Sequence, residues 1–192
     1  GGGQEPDHGA LEKDGQEYEV VDVQKQGDVV LHEVPEHDLD KGDEVMGIID
    51  WDRRMQLMQH HSSTHMVNGA AKKLLGNHIN QAGAHKTVEK ARLDITHYEK
   101  LSREELDEIE EEVRETIWKD AGIEREVMEK SEAEQEYGFE IYQGGAPPGN
   151  EVRIIKIVDG EEDVVIDVEA CGGTHLESTG EAEEFVITGS SK

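Results

Sequence analysis

The feature that most constrains this chain is the stretch from Asp52 to Leu75, which contains no proline and one glycine, Gly69. Met55, Met58, Met66, Val67, Ala70, Ala71, Leu74 and Leu75 recur there at helical spacing, which predicts one long amphipathic helix with a face to be covered. Gly76-Asn77 stops it, as a glycine just past a helix C-terminus does. What can cover that face is limited. Leu, Ile, Val and Phe make up 42 of the 192 residues, and 46 Asp and Glu against 19 Lys and Arg give a net charge of −27. Strong acidity with few aromatics is first a signature of disorder, but an aliphatic fraction just above about one fifth permits a small core. The long helix must therefore be the spine of a compact α+β chain with little apolar surface to spare.

The elements around the spine follow the same logic. Between Glu17 and Asp50, short apolar runs separated by turn signals such as Gly27-Asp28 predict an antiparallel sheet or small barrel-like unit, with a boundary near Trp51. After the helix, strands are expected around 78–82 and 86–97. Ser102 and Glu105 form a capping box for a second helix that buries Leu106, Ile109, Val113 and Ile117 while EIEEEVRE faces solvent. A strand near 123–128 and a short helix at 131–137 come next. VRIIKIV and DVVIDVEA then read as a buried hairpin, and EEFVIT as a final strand. The fold class is α+β: a small antiparallel β-barrel-like unit over 1–52, then a two-layer α/β domain with a mainly antiparallel sheet over 53–192.

Several function classes are disfavoured. No apolar run approaches the roughly 18 residues of a membrane span, and no signal peptide is recognisable, so a cytoplasmic protein with no membrane association is expected. The lone cysteine, Cys171, permits no internal disulfide. The net charge opposes binding to a polyanion, and its most economical cause is a salt-rich cytoplasm, where screening removes self-repulsion and carboxylates keep the surface hydrated.

One constellation carries chemistry. His61 and His65, four apart on the predicted helix, lie about 40° apart around its axis and roughly 6 Å along it, close enough to share an ion. His60, five residues from His65, points elsewhere. Downstream, Cys171-Gly172-Gly173-Thr174-His175 is a CxxxH whose glycines allow a tight turn. A thiolate with imidazoles is the ligand set zinc prefers. Ser62, Ser63 and Thr64 fill the space between the histidines, so the glutamate base of zinc-protease helices is absent. Charge supplies a second clue. From Arg53 to Arg92 the basic residues Arg53, Arg54, Lys72, Lys73, Lys86, Lys90 and Arg92 face one acid, Glu89. Two explanations are open: a core helix and metal site that exclude acids, or a face that meets phosphates.

HHSSTH, GNHINQAGAHKTVEKARLDITHYEKLS, YQGGAPPGNEVRIIKI and DVEACGGTHLESTGE together resemble the editing domain of alanyl-tRNA synthetase, shared with the free-standing AlaX proteins, and the opening GGGQEPDHG resembles the GGGQ motif that precedes it. The wording is nearest the archaeal synthetases, which agrees with a halophilic reading of the charge. The resemblance implies hydrolysis of the ester in tRNA(Ala) mischarged with serine or glycine. It implies Zn2+ on His61, His65, Cys171 and His175, and Gln81 in the aminoacyl pocket, to which the hydroxyl of Thr64 is a further candidate. It also implies that Gly1, Gly2, Gly3 and Gln4 help place the tRNA end, with Arg53, Arg54, Lys72, Lys73 and Lys86 as expected tRNA contacts. The chain opens without an initiator Met, and family members extend beyond both ends of this sequence, so a piece of an ATP-binding ligase that partners the rest of the synthetase is expected. The rivals are the related editing domain of threonyl-tRNA synthetase, which removes serine from another tRNA, and a zinc-stabilised tRNA-binding module without catalysis.

Overall fold

A computed structural model describes all residues except 1, 2, 28 and 163. The predicted spine is helix α1, Trp51–Leu75, started by the Asp50 side chain accepting from the Arg53 N–H and ended at Gly76. It is buried along much of its length, including polar His61, Ser62, Ser63, Thr64, His65 and Asn68. A core helix that carries this many polar side chains inward does so for something other than packing.

Among the described residues before α1 lie five strands, β1 Gly9–Lys13, β2 Gln16–Val20, β3 Asp22–Gln26, β4 Val29–Glu33 and β5 Met46–Ile49. They form a three-stranded antiparallel sheet in the order β2-β1-β5 and a separate β3-β4 hairpin. The expected barrel-like closure is not found among the described residues. The reason is physical: Tyr18 and Val20 are the buried apolar side chains of this region, whereas Val29, Val30 and Leu31 on β4 are exposed. Strands with so little to bury have nothing to curl around.

After α1, β6 Gln81–Lys86 and β7 Ala91–Ile95 pair antiparallel. Helix α2, Arg103–Trp118, carries the predicted capping box between Ser102 and Glu105. Strand β8, Gly122–Glu129, leads into helix α3, Lys130–Tyr137, and then to β9, Glu151–Asp159, and β10, Val164–Ala170, the predicted hairpin. These three strands make an antiparallel sheet in the order β10-β9-β8, with a bulge between Val165 and Asp167. The main core lies between this sheet, α1 and α2, and includes Met66, Ala70, Ile109, Val113, Ile155, Ile157 and Leu176. A smaller cluster of Ala133, Ile141, Val152 and Ile154 packs under α3. Among the described residues the architecture is mixed α/β with three α-helices and antiparallel sheets.

The last expected strand, EEFVIT, is irregular instead. Its backbone is held by α2 side chains in place of a strand partner: the Ile187 N–H donates to Glu110 Oε2 at 2.6 Å, and Arg114 Nε donates to the Phe185 carbonyl at 3.3 Å. Phe185 and Ile187 still pack on the core, so their apolar character was real and their pairing was not.

Candidate metal centre and its cavity

His61 and His65 face inward from α1, and the chain leaving β10 turns back through Cys171-Gly172-Gly173-Thr174-His175 to meet them. Ligand atoms of His61, His65, Cys171 and His175 all lie within 4.8 Å of one another. Cys171 Sγ is 3.3 Å from His61 Nε2, and the His175 ring centroid is 4.2 Å from that of His61 and 4.7 Å from that of His65. The turn requires glycine at one position. A Cβ on Gly173 would stand 2.0 Å from His61 Cε1, so the ring and the turn can share this space only without a side chain.

Two outer contacts fix the rings. Gln4 Oε1 accepts from the Thr174 backbone N–H at 3.2 Å, which sets the orientation of the amide, so at 2.8 Å His61 Nδ1 must be the donor to the same oxygen. His61 Nε2 is thereby left with its lone pair facing Cys171. His65 Nδ1 lies 3.0 Å from Asp167 Oδ2 and 3.4 Å from Glu169 Oε2, and Asn68 Nδ2 donates to both carboxylates. A histidine that gives its far N–H to a carboxylate or amide oxygen is the usual arrangement behind a metal ligand. His175 is different. Both its ring nitrogens are buried and lack a hydrogen-bond partner among the described residues. An imidazole left so is costly unless something else satisfies it, and three donors of the right type surround it. The residues therefore fit a zinc ion.

For His61 and His175 the electrostatics agree. Burial, and then the neighbouring His175 and Lys86, hold His61 well below the ordinary imidazole range. Burial and then His65 push His175 down to about 2, so both rings are neutral and able to ligate. Burial alone would disfavour a charged His65, but Glu169 and Asp167 outweigh it and raise the ring well above its ordinary value. Burial likewise pushes the Cys171 thiol up, yet its hydrogen bond to His65 and the charge there bring it below the usual thiol value. Glu169 is pushed up to about 7 by burial and then by the adjacent Asp167 charge.

The group opens on a cavity of about 300 Å³ whose lining includes His61, His65, Gln81, Lys86, Gln143, Arg153, Glu169 and Cys171, with Gly145 and Pro147 from the loop after Gln143. Gln81 is thus brought to the metal group. Thr64 is not: its hydroxyl donates to the His61 carbonyl at 2.7 Å, and it lines a larger cavity of about 880 Å³ bounded by α1, β7 and the C-terminal segment, together with His60. Thr64 directly precedes His65, about 100° away around the helix, which turns it off the side that His61 and His65 share.

Of the expected tRNA contacts, Gly1 and Gly2 lie outside the described residues. Gly3 accepts from the Lys86 N–H at 2.8 Å, and Glu5 N–H donates to the Lys86 carbonyl at 3.1 Å, so the N-terminal segment runs along β6 and delivers Gln4 to the site. Lys86 is 1% exposed and lines the cavity. Arg53 pairs with Glu5 at 2.9 Å, Arg54 with Asp7, and Lys73 with Glu112 at 2.6 Å, while Lys72 Nζ lies 3.9 Å from Asp167. The basic stretch is thus matched in space by acids from other parts of the chain. Asp167 and Glu169 were missed in the sequence, although a signal was present. In VVIDVEAC, Asp167, Glu169 and Cys171 recur every second residue, so two acids share a strand face with a proposed ligand.

Residues 152–192 match the family described as "Threonyl and Alanyl tRNA synthetase second additional domain". Over 180 residues, 94% of this chain, the sequence is 47% identical to the alanine–tRNA ligase of Methanothrix thermoacetophila, covering 19% of that protein. It is 49% identical over 181 residues to that of Pyrococcus abyssi and 44% identical over 181 residues to that of Haloquadratum walsbyi, with the same coverage of each chain. The chain spans about one fifth of the length of these relatives. Cys171 and His175 of the ligand-type cluster lie within the residues that the family match covers, and with these relatives the chain is homologous to a segment of alanine–tRNA ligase.

Proposed function

We propose that this chain is the editing unit of an alanine–tRNA ligase, and that it hydrolyses the ester linking serine or glycine to tRNA(Ala). The observation that carries the reading is the convergence of His61, His65, Cys171 and His175 beside a cavity that also holds Gln81. These four residues would hold Zn2+, which supplies a positive charge able to polarise or position an oxygen of the substrate or of water. The protein's own residues do the rest. Gln4 and Asp167 hold the His61 and His65 rings. Gln81 offers its amide to a serine hydroxyl, and alanine would leave that amide unpaired, a cost of roughly 1–3 kcal/mol if buried. A second site of this kind is physically needed, because a pocket sized for alanine rejects serine only modestly and cannot exclude glycine by size.

In this reading residues 1–52 and the basic groups Arg53, Arg54, Lys72, Lys73 and Lys86 guide the acceptor end, and 53–192 cleave it. A kinship with AlaX proteins and adaptation to high salt belong to the same proposal. The homologous segment of the ligase from Haloquadratum walsbyi supports a place in the ligase chain. The test is deacylation of seryl- and glycyl-tRNA(Ala) in molar potassium chloride, with and without chelator. Hydrolysis that chelation abolishes and zinc restores is expected. Turnover of seryl-tRNA(Thr) alone would assign the chain to the threonyl-type reaction instead. A Cys171→Ala protein should remain folded by circular dichroism and be inactive; loss of secondary structure would mark the metal as a structural prop without catalysis.

A further inference from the structure

The cavity holds a polar group that hydrolysis leaves unused. Gln143 Nε2 and Oε1 are both buried, and neither has a hydrogen-bond partner among the described residues. A primary amide carries a donor and an acceptor side by side in one plane, and burying both unmade is costly. The amide is also well placed to wait for a partner. Ile141, two residues earlier, is buried in the smaller core, and the Tyr142 hydroxyl donates to Glu134 at 2.8 Å. Beyond it, the Lys130 N–H donates to the Asn150 carbonyl at 2.8 Å and Lys130 Nζ donates to the Pro147 carbonyl. The loop that carries Gln143 is thus tied to α3 on both sides of it, which holds its backbone in place before any ligand arrives.

We propose that Gln143 reads the base of the terminal adenosine of the tRNA substrate. Adenine presents an exocyclic N6–H donor beside a ring-nitrogen acceptor, and a Gln amide satisfies both at once. The same cavity holds Gln81 and the metal group, so one 3′-aminoacyl adenosine spans it, with the amino acid at Gln81 and the base at Gln143. The choice of base rests on the editing function proposed above; the unmade amide and its cavity do not.

The experiment compares 5′-AMP with purine riboside 5′-monophosphate, which lacks the N6 amine, by NMR titration of the zinc-loaded chain. The unsubstituted protein should bind 5′-AMP about threefold to tenfold more tightly, the worth of one hydrogen bond, and Gln143→Leu should bind the two equally. Equal affinities in the unsubstituted protein, or a preference that survives Gln143→Leu, would overturn the assignment. A reading independent of the variant's folding comes from the unsubstituted protein, whose Gln143 side-chain amide protons should shift on adding 5′-AMP; unmoved signals would also overturn it. Deacylation of seryl-tRNA(Ala), assayed in parallel, separates the two proposals. Hydrolysis without base preference sinks the adenine contact alone, and base preference without hydrolysis sinks the editing reaction and leaves the contact standing.

Discussion

Gly173 and Asp167 are the residues whose replacement should be most informative. Gly173→Ala would place a methyl group 2.0 Å from His61 Cε1, and since both are in tightly packed surroundings the ring must give way. The variant should lose zinc stoichiometry, measured by metal analysis after gel filtration, while its far-ultraviolet circular dichroism stays that of the parent. Asp167→Asn removes the charged acceptor behind His65 and should weaken zinc binding about tenfold to a hundredfold, measured by competition with a chromogenic chelator. A third residue-scale effect concerns pH. Lys119 Nζ lies 2.9 Å from Asp159 Oδ2. That hydrogen bond holds the Asp159 carboxyl below its ordinary value of 3.8 and raises Lys119 above 10.5. The lowered carboxylate stabilises the fold above pH 3.8 and loses this contribution as pH falls through its folded value. The raised ammonium stabilises below pH 10.5 and loses its contribution as pH rises through its own. Lys119→Met should therefore melt at a lower temperature than the parent between these limits, and the gap should close at both extremes.

Among the elements, α1 against β10 is the contact that positions the site, and its closeness depends on Gly69. A Cβ there would lie 2.6 Å from the Ile166 carbonyl oxygen. Helix propensity favours alanine over glycine by about 1 kcal/mol, whereas overpacking costs about 1–3 kcal/mol; because the obstacle is backbone and cannot rotate away, the clash should win. Gly69→Ala should lower the chemical-denaturation midpoint and shift His65 away from Asp167. The elements were largely legible in the sequence where one local rule decides them. The proline-free apolar period gave α1, Ser102 and Glu105 gave the start of α2, and Asp159-Gly160 gave the turn between β9 and β10. Those that depend on distant partners were not: EEFVIT has the alternation of a strand, but Glu110 and Arg114 take its backbone groups, and β1 to β5 have turns enough for a barrel without the apolar side chains to close one. The clustering of the four candidate ligands was legible because His61 with His65 and Cys171 with His175 carry fixed spacings. Gln143 was not singled out by any comparable spacing, and neither the hold of Gln4 on His61 nor that of Asp167 on His65 could be read from their motif or alternation, since these roles arise from where the chain returns in space.

At the scale of the whole molecule, charge sets the working conditions. With a net charge of −27, the carboxylates that coat the scaffold repel one another at low ionic strength, and at molar salt the Debye length shrinks to about 3 Å. The melting temperature should rise steadily between 0.1 and 2 M potassium chloride, followed by circular dichroism, and a flat or falling profile would contradict the salt-adapted reading. The basic stretch around α1 is neutralised partly by Glu5, Asp7 and Glu112, so its attraction for phosphate is tempered by internal pairs. Finally, the delivery of Gln4 to His61 has a consequence for how the molecule assembles. Partners at positions 4, 61 and 174 close loops of very different length, and long loops close late because their entropy must be met before the contact is made. The four candidate ligands meet only when the turn at 171–175 has folded back onto α1, and the His61 ring is held only when Gln4 has come to lie beside β6. Zinc capture should thus be a closing event in folding, one that slows unfolding far more than it hastens folding, and metal retention becomes a measure of whether the 171–175 turn is seated on α1.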